Sequence, residues 1–570
     1  MRILRAVRLA VALVVACAGI APVLRAQYPY VPPPVPCEPP NTRWGVGDES
    51  VGEDASLRRI AIVPFGSNFA AEDSANAALA AAFARRLVTR LTDLHAVGLW
   101  VPEPMLDSAQ TARLETLGNA EHVRYVLVGY VGPATQGITV TAHLFRTTSH
   151  AAQVWSHTYS GPLTGLLAFE TEIARSVASL VGSHARRDPA GSRPTASSAA
   201  YLTYLRGDAD LRDERRGAAV SAMDEFSNAV ALDSAFGEAW AGLAMSAVAR
   251  LRREGGATPA DDSALLGVAT FAERHAQSLA PRSVGTWVAR GAILEIQEPR
   301  NYANALAAYR RATDLVPWSA EAHRELGRAL LNVGAVDAGI EQLRVSLRNG
   351  PGDPITWVDL ANVHLMQRDY RGACHAADAA IESDPRHGAA YAARAYVRLR
   401  LKDIRNAYAD AETGARLGAW LTGGVAAVIA AADARDTVSA RQRLAALIAQ
   451  VPHAATRLTV WEAQYLAKAY TTLGQNDRAL ALLAHARPHG ASFWWALHDP
   501  GFDRLRYASA FGTLLGASEP VNVASAAPMG MPAPAAPPAE PGVDSSTATS
   551  ATTTSASTTS ATTTAAPAVP

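Results

Sequence analysis

From residue 201 to about residue 515 the chain has the apolar pattern of consecutive amphipathic helices. Alanine and larger apolar residues recur three and four positions apart, as one buried helix face requires. Pro317, Pro351 and Pro385 follow one another at intervals of 34 residues. A single helical hairpin cannot bury its own apolar face, so hairpins repeated at this period must stack on one another. The pattern therefore predicts an all-α solenoid over residues 200–516.

The residues inside each period resemble the tetratricopeptide (TPR) repeat. Small residues recur where the two helices of a hairpin approach closely, and aromatic or leucine side chains fill the groove beside them. Seven units are readable, and residues 424–452 form a degenerate one. The landmarks that carry this resemblance include Leu326, Gly327, Trp357, Ala361, Ala373, Tyr391 and Ala395.

Upstream of the repeats, short apolar runs alternate with one strongly helical segment. Residues 138–144 alternate with period two, which indicates a strand with one buried face, and residues 153–159 are expected to pair with it as a hairpin. The order βαβα-βββ-α predicts a small α/β domain over residues 57–183. Its elements are strands at 60–65, 97–101 and 125–131, the hairpin, and helices at 79–91, 108–117 and 166–181. The first strand is expected to end at Pro64 and Gly66.

This segment resembles the TolB amino-terminal-like domain. The carrying residues are Ile60 to Phe65, Val123 to Gly129, Val140 to Leu144, Val154, Trp155 and Tyr159. Relatives usually begin the first helix with an acidic face, whereas this chain has Ala77 to Phe83, so no partner contact is carried over from that face. Relatives often place a DNA-binding or nucleotide-cyclase domain before this pair of domains; here a leader-like segment stands there.

Both ends of the chain have the composition of processing or spacer segments. Arg2, Arg5 and Arg8 precede an apolar stretch, which predicts a signal peptide over residues 1–26, cleaved after Ala26. The alternative is lipoprotein processing at Cys17, which would give the chain a lipid anchor. A proline-rich extended segment (27–56), a linker (184–199) and a disordered Ala/Pro/Ser/Thr tail (517–570) complete the predicted organisation. The expected location is the periplasm or the extracellular space.

Composition and charge exclude some classes of function. Lysine plus arginine and aspartate plus glutamate each number 52, and this balance argues against nucleic-acid binding driven by bulk charge. The sequence does not decide whether Cys37 and Cys374 form a disulfide. Residues 419–432 are nearly all apolar but too few for a membrane span, so a buried helix is expected.

The sequence contains none of the common catalytic motifs. It has no Walker loop, no His-Glu-x-x-His, no Cys-x-x-Cys and no Gly-x-Ser-x-Gly, so we expect neither an enzyme nor a cofactor. His143 and His157 lie on neighbouring predicted strands and could meet as a metal pair. Without a third ligand, we interpret them as surface residues and predict no metal site.

TPR arrays bind their partners on the concave surface, which is lined by the first helix of each hairpin. Placing the chain on the TPR pattern assigns six residues to that surface: Arg324, Arg328, Asn332, Asn362, Tyr396 and Arg400. A row of arginine and asparagine suits a carboxylate or an extended backbone.

The resulting hypothesis is an exported scaffold that binds a protein or peptide partner in the cell envelope. One alternative is a sensory relic of a TolB-TPR signalling regulator. The other is an enzyme acting on envelope glycan or peptide, with the repeats as its frame.

Overall fold

The computed structural model describes residues 60–62, 66–67, 79–80, 82–83, 85–87, 90, 124–134, 137–147, 152–181, 194–255, 258–297, 301–350, 352–451, 458–486 and 498–515. The expected signal peptide, proline-rich segment and tail lie outside the described residues. So do the strand expected at 97–101, the helix expected at 108–117 and most of the expected linker.

The amino-terminal sheet combines parallel and antiparallel pairing. Strands β1 (Ile60–Ile62) and β2 (Gly66–Ser67) run parallel to β3 (Tyr125–Ala134), and β3, β4 (Gly137–Arg146) and β5 (Ala152–Gly161) form an antiparallel meander. Burial alternates along β4, as the period-two pattern predicted. Gly66 and Ser67 form the separate strand β2, which pairs with Tyr130 and Val131, and the expected strand end at Pro64 lies outside the described residues.

Helices cover the buried face of this sheet. The described residues between 79 and 90 are helical, and Leu79, Phe83 and Leu87 are buried at the predicted spacing of four. Helix α1 (Leu166–Val181) has the predicted bounds and buries Ile173 and Val177 in the same core. The predicted α/β class of this domain is confirmed.

The rest of the described chain is a solenoid of antiparallel helix pairs. Eight hairpins follow one another within the described residues, and each pairs a first helix with a second. Their helices are α2 (Ser198–Arg212) and α3 (Ala218–Leu232), α4 (Gly237–Arg253) and α5 (Pro259–Leu279), α6 (Val284–Ile296) and α7 (Tyr302–Leu315), α8 (Ala320–Asn332) and α9 (Val336–Asn349), α10 (Pro354–Met366) and α11 (Tyr370–Ser383), α12 (Gly388–Arg400) and α13 (Ile404–Arg416), α14 (Trp420–Asp433) and α15 (Thr437–Gln450), and α16 (Val460–Thr472) and α17 (Asn476–Ala486).

The 34-residue period is visible directly in the helix starts. Helices α8, α10 and α12 begin at residues 320, 354 and 388. Within the fourth hairpin a Cβ added to Gly327 would stand 3.0 Å from the carbonyl oxygen of Gly339 on the partner helix. The small residues of the repeat are therefore required by close backbone approach, as the sequence pattern predicted. The predicted TPR-like solenoid is confirmed.

The apolar stretch at 419–432 is a buried helix, as expected. It forms most of α14, whose residues from Val425 to Ala431 are all buried. Among the described residues, no helix combines the length and the apolarity that crossing a bilayer would take.

The sheet and the first hairpins share one continuous apolar core. Tyr201 and Leu205 of α2 are fully buried in the same cluster as Ile60 and Leu144. Ion pairs reinforce this junction, because Arg85 bonds Asp208 of α2 at 3.1 Å and Arg86 bonds Glu238 of α4. The α/β domain is thus anchored to the start of the array.

A short apolar cap closes the other end of the array. A 3₁₀ turn (Pro500–Leu505) and helix α18 (Ser509–Leu515) pack Phe502, Leu505 and Phe511 onto the last hairpin. A terminal repeat needs such a cover, because its outer face has no next hairpin against which to pack.

Candidate functional site: a cavity inside the helical array

The first two hairpins touch the last two, so the array closes on itself. Arg216, in the loop after α2, donates to the carbonyl oxygen of Gln450 at the end of α15, and its guanidinium lies 5.4 Å from the ring centroid of Trp420 on α14. Gly255, just after α4, lies beside the methyl group of Thr459 at the start of α16. We call this contact the seam.

Closure of the array turns its concave surface into a cavity. The cavity has a volume of about 920 Å³, and the first helices of all eight hairpins contribute to its wall. Five of the six residues assigned to the concave surface line it: Arg324, Arg328, Asn332, Asn362 and Tyr396. Arg400, the last residue of α12, is half-buried and is not among the lining residues.

Arg324 is already occupied by carboxylates of the chain itself. Its guanidinium bonds Glu325 at 3.0 Å and Asp353 of the next hairpin at 2.9 Å, and the residue is 7% exposed. Burial opposes ionisation of Asp353, but the Arg324 and Arg212 charges outweigh it and lower the pKa of Asp353 to about 2. Arg324 therefore joins two hairpins and has little capacity left for a ligand.

Arg328 is held more loosely. Its side chain is 43% exposed, and its nitrogens lie 3.5 Å from Glu325 and 3.7 Å from Asp359. These distances exceed those of good charge-assisted hydrogen bonds. Burial raises the pKa of Asp359 to about 6, despite the nearby Arg328 and Arg324 charges. This pair leaves polar groups facing the cavity.

Asn332 and Asn362 lie on either side of this pair. Asn332 reaches the carboxylate of Glu295 on α6 at 3.5 Å, and Glu295 bonds Arg252 of α4 at 2.6 Å. Asn362 is half-buried on α10, three residues after Asp359 and so on the same helix face. The wall therefore carries a polar band across α4, α6, α8 and α10.

Aromatic rings line another part of the wall. The rings of Tyr396 and Tyr465 lie 6.2 Å apart, and the ammonium of Lys468 lies 5.1 Å and 4.3 Å from their centroids. Asp499 completes an ion pair with Lys468. Tyr396 donates its hydroxyl to the carbonyl oxygen of Thr422. Tyr396 therefore belongs to an aromatic wall around an ammonium group, a role that its sequence position did not reveal.

Sequence reasoning missed the acidic partners of these side chains. Glu295 accepts from the predicted Asn332, and Asp353 and Asp359 approach the predicted Arg324 and Arg328 from the next hairpin. One signal was present, because Arg324 and Asp353 stand 29 residues apart and Arg328 and Asp359 31 residues apart, close to one repeat period. Acidic residues about one period after each arginine could have been examined as partners.

The two strand histidines do not form a metal pair. His143 lies opposite Ser156 and His157 opposite Ala142, so the two rings project from opposite faces of the sheet. His143 Nδ1 shares a hydrogen bond of 2.9 Å with Ser156, and His157 packs on Tyr159. Within the part of the chain that the structure describes, no group of three or more potential metal ligands is found.

Comparison with known proteins adds little beyond this geometry. No family model matches the chain, and no curated protein does so either. Among solved structures, the chain is similar to one in the crystal structure of the APC/C hetero-tetramer Cut9-Hcn1, with 12% identity and a TM-score of 0.31. The match covers 62% of this chain and 83% of that one. At this level of similarity it carries no functional inference, so the function rests on the cavity itself.

Proposed function

We propose that the chain is an exported, non-catalytic scaffold that holds an extended segment of a protein partner inside the cavity of its helical array. The observation that carries this proposal is the contribution of all eight first helices to one cavity wall. A volume of about 920 Å³ accommodates a short peptide and excludes a folded domain.

The polar band supports binding of a backbone in particular. Asn362 and Arg328 offer side-chain donors, and Asn362 also offers an acceptor. An extended peptide presents alternating N–H and C=O groups that such side chains can satisfy. The α/β domain, which we propose to be TolB-like, is anchored to the array by Arg85 and Arg86. In this proposal it positions the array instead of acting as an independent second module.

Oxidation of Cys374 supports the export part of the proposal. Cys374, on α11, is disulfide-bonded. Disulfides persist mainly in oxidising compartments such as the periplasm and the extracellular space. The other two cysteines in the sequence are Cys17 and Cys37, and Cys17 would leave with a signal peptide cleaved after Ala26. Peptide mapping of the native protein under non-reducing conditions should recover Cys374 linked to Cys37. Free thiols at both positions would contradict export.

Binding in the cavity is tested by filling it. We expect Asn362→Trp to abolish capture of a specific protein segment from a native envelope extract, because the indole would occupy the space next to Arg328. Gln442→Trp, at an exposed position on α15, serves as the matched control and should capture the same segment as the wild type. Equal capture by both variants would rule out the cavity as the binding site.

A further inference from the structure

Carboxylates outnumber cationic side chains among the residues that line the cavity. Ten carboxylates and eight arginine or lysine side chains line the cavity. Two of these arginines are directed at backbone carbonyls: Arg253 donates to Asp213 at 2.9 Å, and Arg216 donates to Gln450. The acidic side of the wall therefore exceeds the cationic side, contrary to the predicted arginine stripe for a carboxylate ligand.

Asp359 is a carboxylate of this wall that lacks a close partner. Its Oδ2 is buried and has no hydrogen-bond partner in the described part of the chain, and Arg328 Nε stays 3.7 Å away. A buried carboxylate oxygen without a donor costs free energy that an incoming donor would recover. Asn362, three residues later on the same helix face, offers a second acceptor to the cavity.

The chain itself shows that the cavity wall stabilises an ammonium group. The Lys468 ammonium is held between an aspartate and the faces of Tyr465 and Tyr396. Cation–π contact together with a carboxylate is a favourable environment for a desolvated cation. Tyr396 and Tyr465 line the same cavity as Asp359.

We propose that the cavity selects peptide segments that carry a lysine or arginine side chain, and that Asp359 is the carboxylate that pairs with it. This inference rests on the proposed function, because it names the chemistry of the segment that the cavity holds. Asn362 accepts a further hydrogen bond from the ammonium or guanidinium.

Pairing requires Asp359 to be ionised. The charged groups that face it are Arg324, Arg328 and Glu325 from α8 and Asp353, which immediately precedes α10. Burial raises the pKa of Asp359 to about 6, so the carboxylate is mainly charged above that pH and mainly neutral below it. Affinity for a cationic peptide should therefore decrease as the pH falls from 7 to 5.

The test uses three fluorescein-labelled peptides of one length that differ at a central Lys, Gln or Glu, titrated with the mature chain and followed by fluorescence anisotropy. We expect the Lys peptide to bind about tenfold more tightly than the Gln peptide, and Asp359→Asn to remove that difference. Asp337→Asn, at an exposed position on α9, is the control and should bind like the wild type. Lowering the pH to 5 should weaken Lys-peptide binding in the wild type and leave Asp359→Asn unaffected.

Equal or tighter binding of the Gln or Glu peptide would overturn the inference, as would an unchanged preference in Asp359→Asn. Absence of binding by all three peptides would overturn it as well. If the Gln or Glu peptide binds best and Asn362→Trp abolishes that binding, the proposed function stands and only the cationic selectivity fails.

Discussion

Two arginines on first helices of the array differ in how tightly they bind their carboxylate partners. Arg394 of α12 is 1% exposed, bonds Asp410 through Nε and Nη2 at 2.8 Å each, and bonds Asp378 at 2.7 Å. Arg328 of α8 is 43% exposed on its side chain and lies 3.5 Å and 3.7 Å from its carboxylates. The first arrangement is saturated and joins three helices, whereas the second leaves donors and acceptors facing a cavity. Similar residue types therefore act as a structural cross-link in one place and as a candidate binding site in the other.

The largest expected effect comes from breaking the saturated cluster. Arg394→Leu would remove two hydrogen bonds from the buried Asp410, which would keep its 2.7 Å bond to Arg398, and one from the half-buried Asp378. We expect a loss of about 3 kcal/mol in the free energy of unfolding. Arg348→Leu is the matched control, because Arg348 forms only an exposed pair with Glu341, and it should change stability by less than about 1 kcal/mol. Urea unfolding followed by circular dichroism measures both. Equal losses would show that the cluster is not a special cross-link.

Close backbone approach between helices gives the next largest effect. A Cβ at Gly423 would stand 2.7 Å from the carbonyl oxygen of Ala411, whereas a Cβ at Gly267 meets no atom within 4 Å. Gly423→Ala should therefore lower the unfolding free energy by about 1–3 kcal/mol through overpacking. Gly267→Ala should raise it by about 0.5–1 kcal/mol, because alanine is the better helix former. A loss of stability in both variants would argue against the packing of α14 on α13.

The Arg324–Asp353 pair should make stability depend on acid pH. The pKa of Asp353 is lowered to about 2, so the carboxylate stabilises the fold above its unfolded-state value near 4 and loses that contribution as the pH falls towards 2. Asp353→Asn should cost about 2 kcal/mol at pH 7, and this difference from wild type should shrink between pH 4 and pH 2. Parallel stability curves over that range would exclude the pair as the cause.

The smallest stability effect is expected at Arg328. Its contacts are long and exposed to water, so Arg328→Ala should change the unfolding free energy by less than about 1 kcal/mol. The contrast with Arg394→Leu in the same unfolding assay is the measurement. A loss at Arg328 as large as that at Arg394 would mean that both arginines are structural.

The sequence alone predicted the architecture because its signals are local and repeated. Each of these signals reflects packing within one hairpin or one strand. They are the 34-residue proline period, the glycine at 327 and the alternation along β4. The lining of the cavity by Arg324, Arg328 and Asn362 followed from their places on first helices. Those signals need no knowledge of distant contacts.

The pairing of charges and the closure of the array could not be predicted in the same way. Asp378 and Asp410 stand 16 residues before and after Arg394, a signal that is readable only once the hairpin geometry is known. The seam brings Arg216 to Gln450, 234 residues away, and depends on small rotations that accumulate over eight hairpins. No local sequence pattern determines the total rotation.

The closed array is the central claim, and a distance across the seam tests it most directly. Nitroxide labels on Arg215→Cys and Gln450→Cys, both exposed positions, can be measured by pulsed electron paramagnetic resonance in solution, and they leave the Arg216 side chain in place. The structure predicts one narrow distribution at short distance, because the neighbouring Arg216 bonds the backbone of Gln450 directly. A long or broad distribution would show an open solenoid and would contradict the closed array.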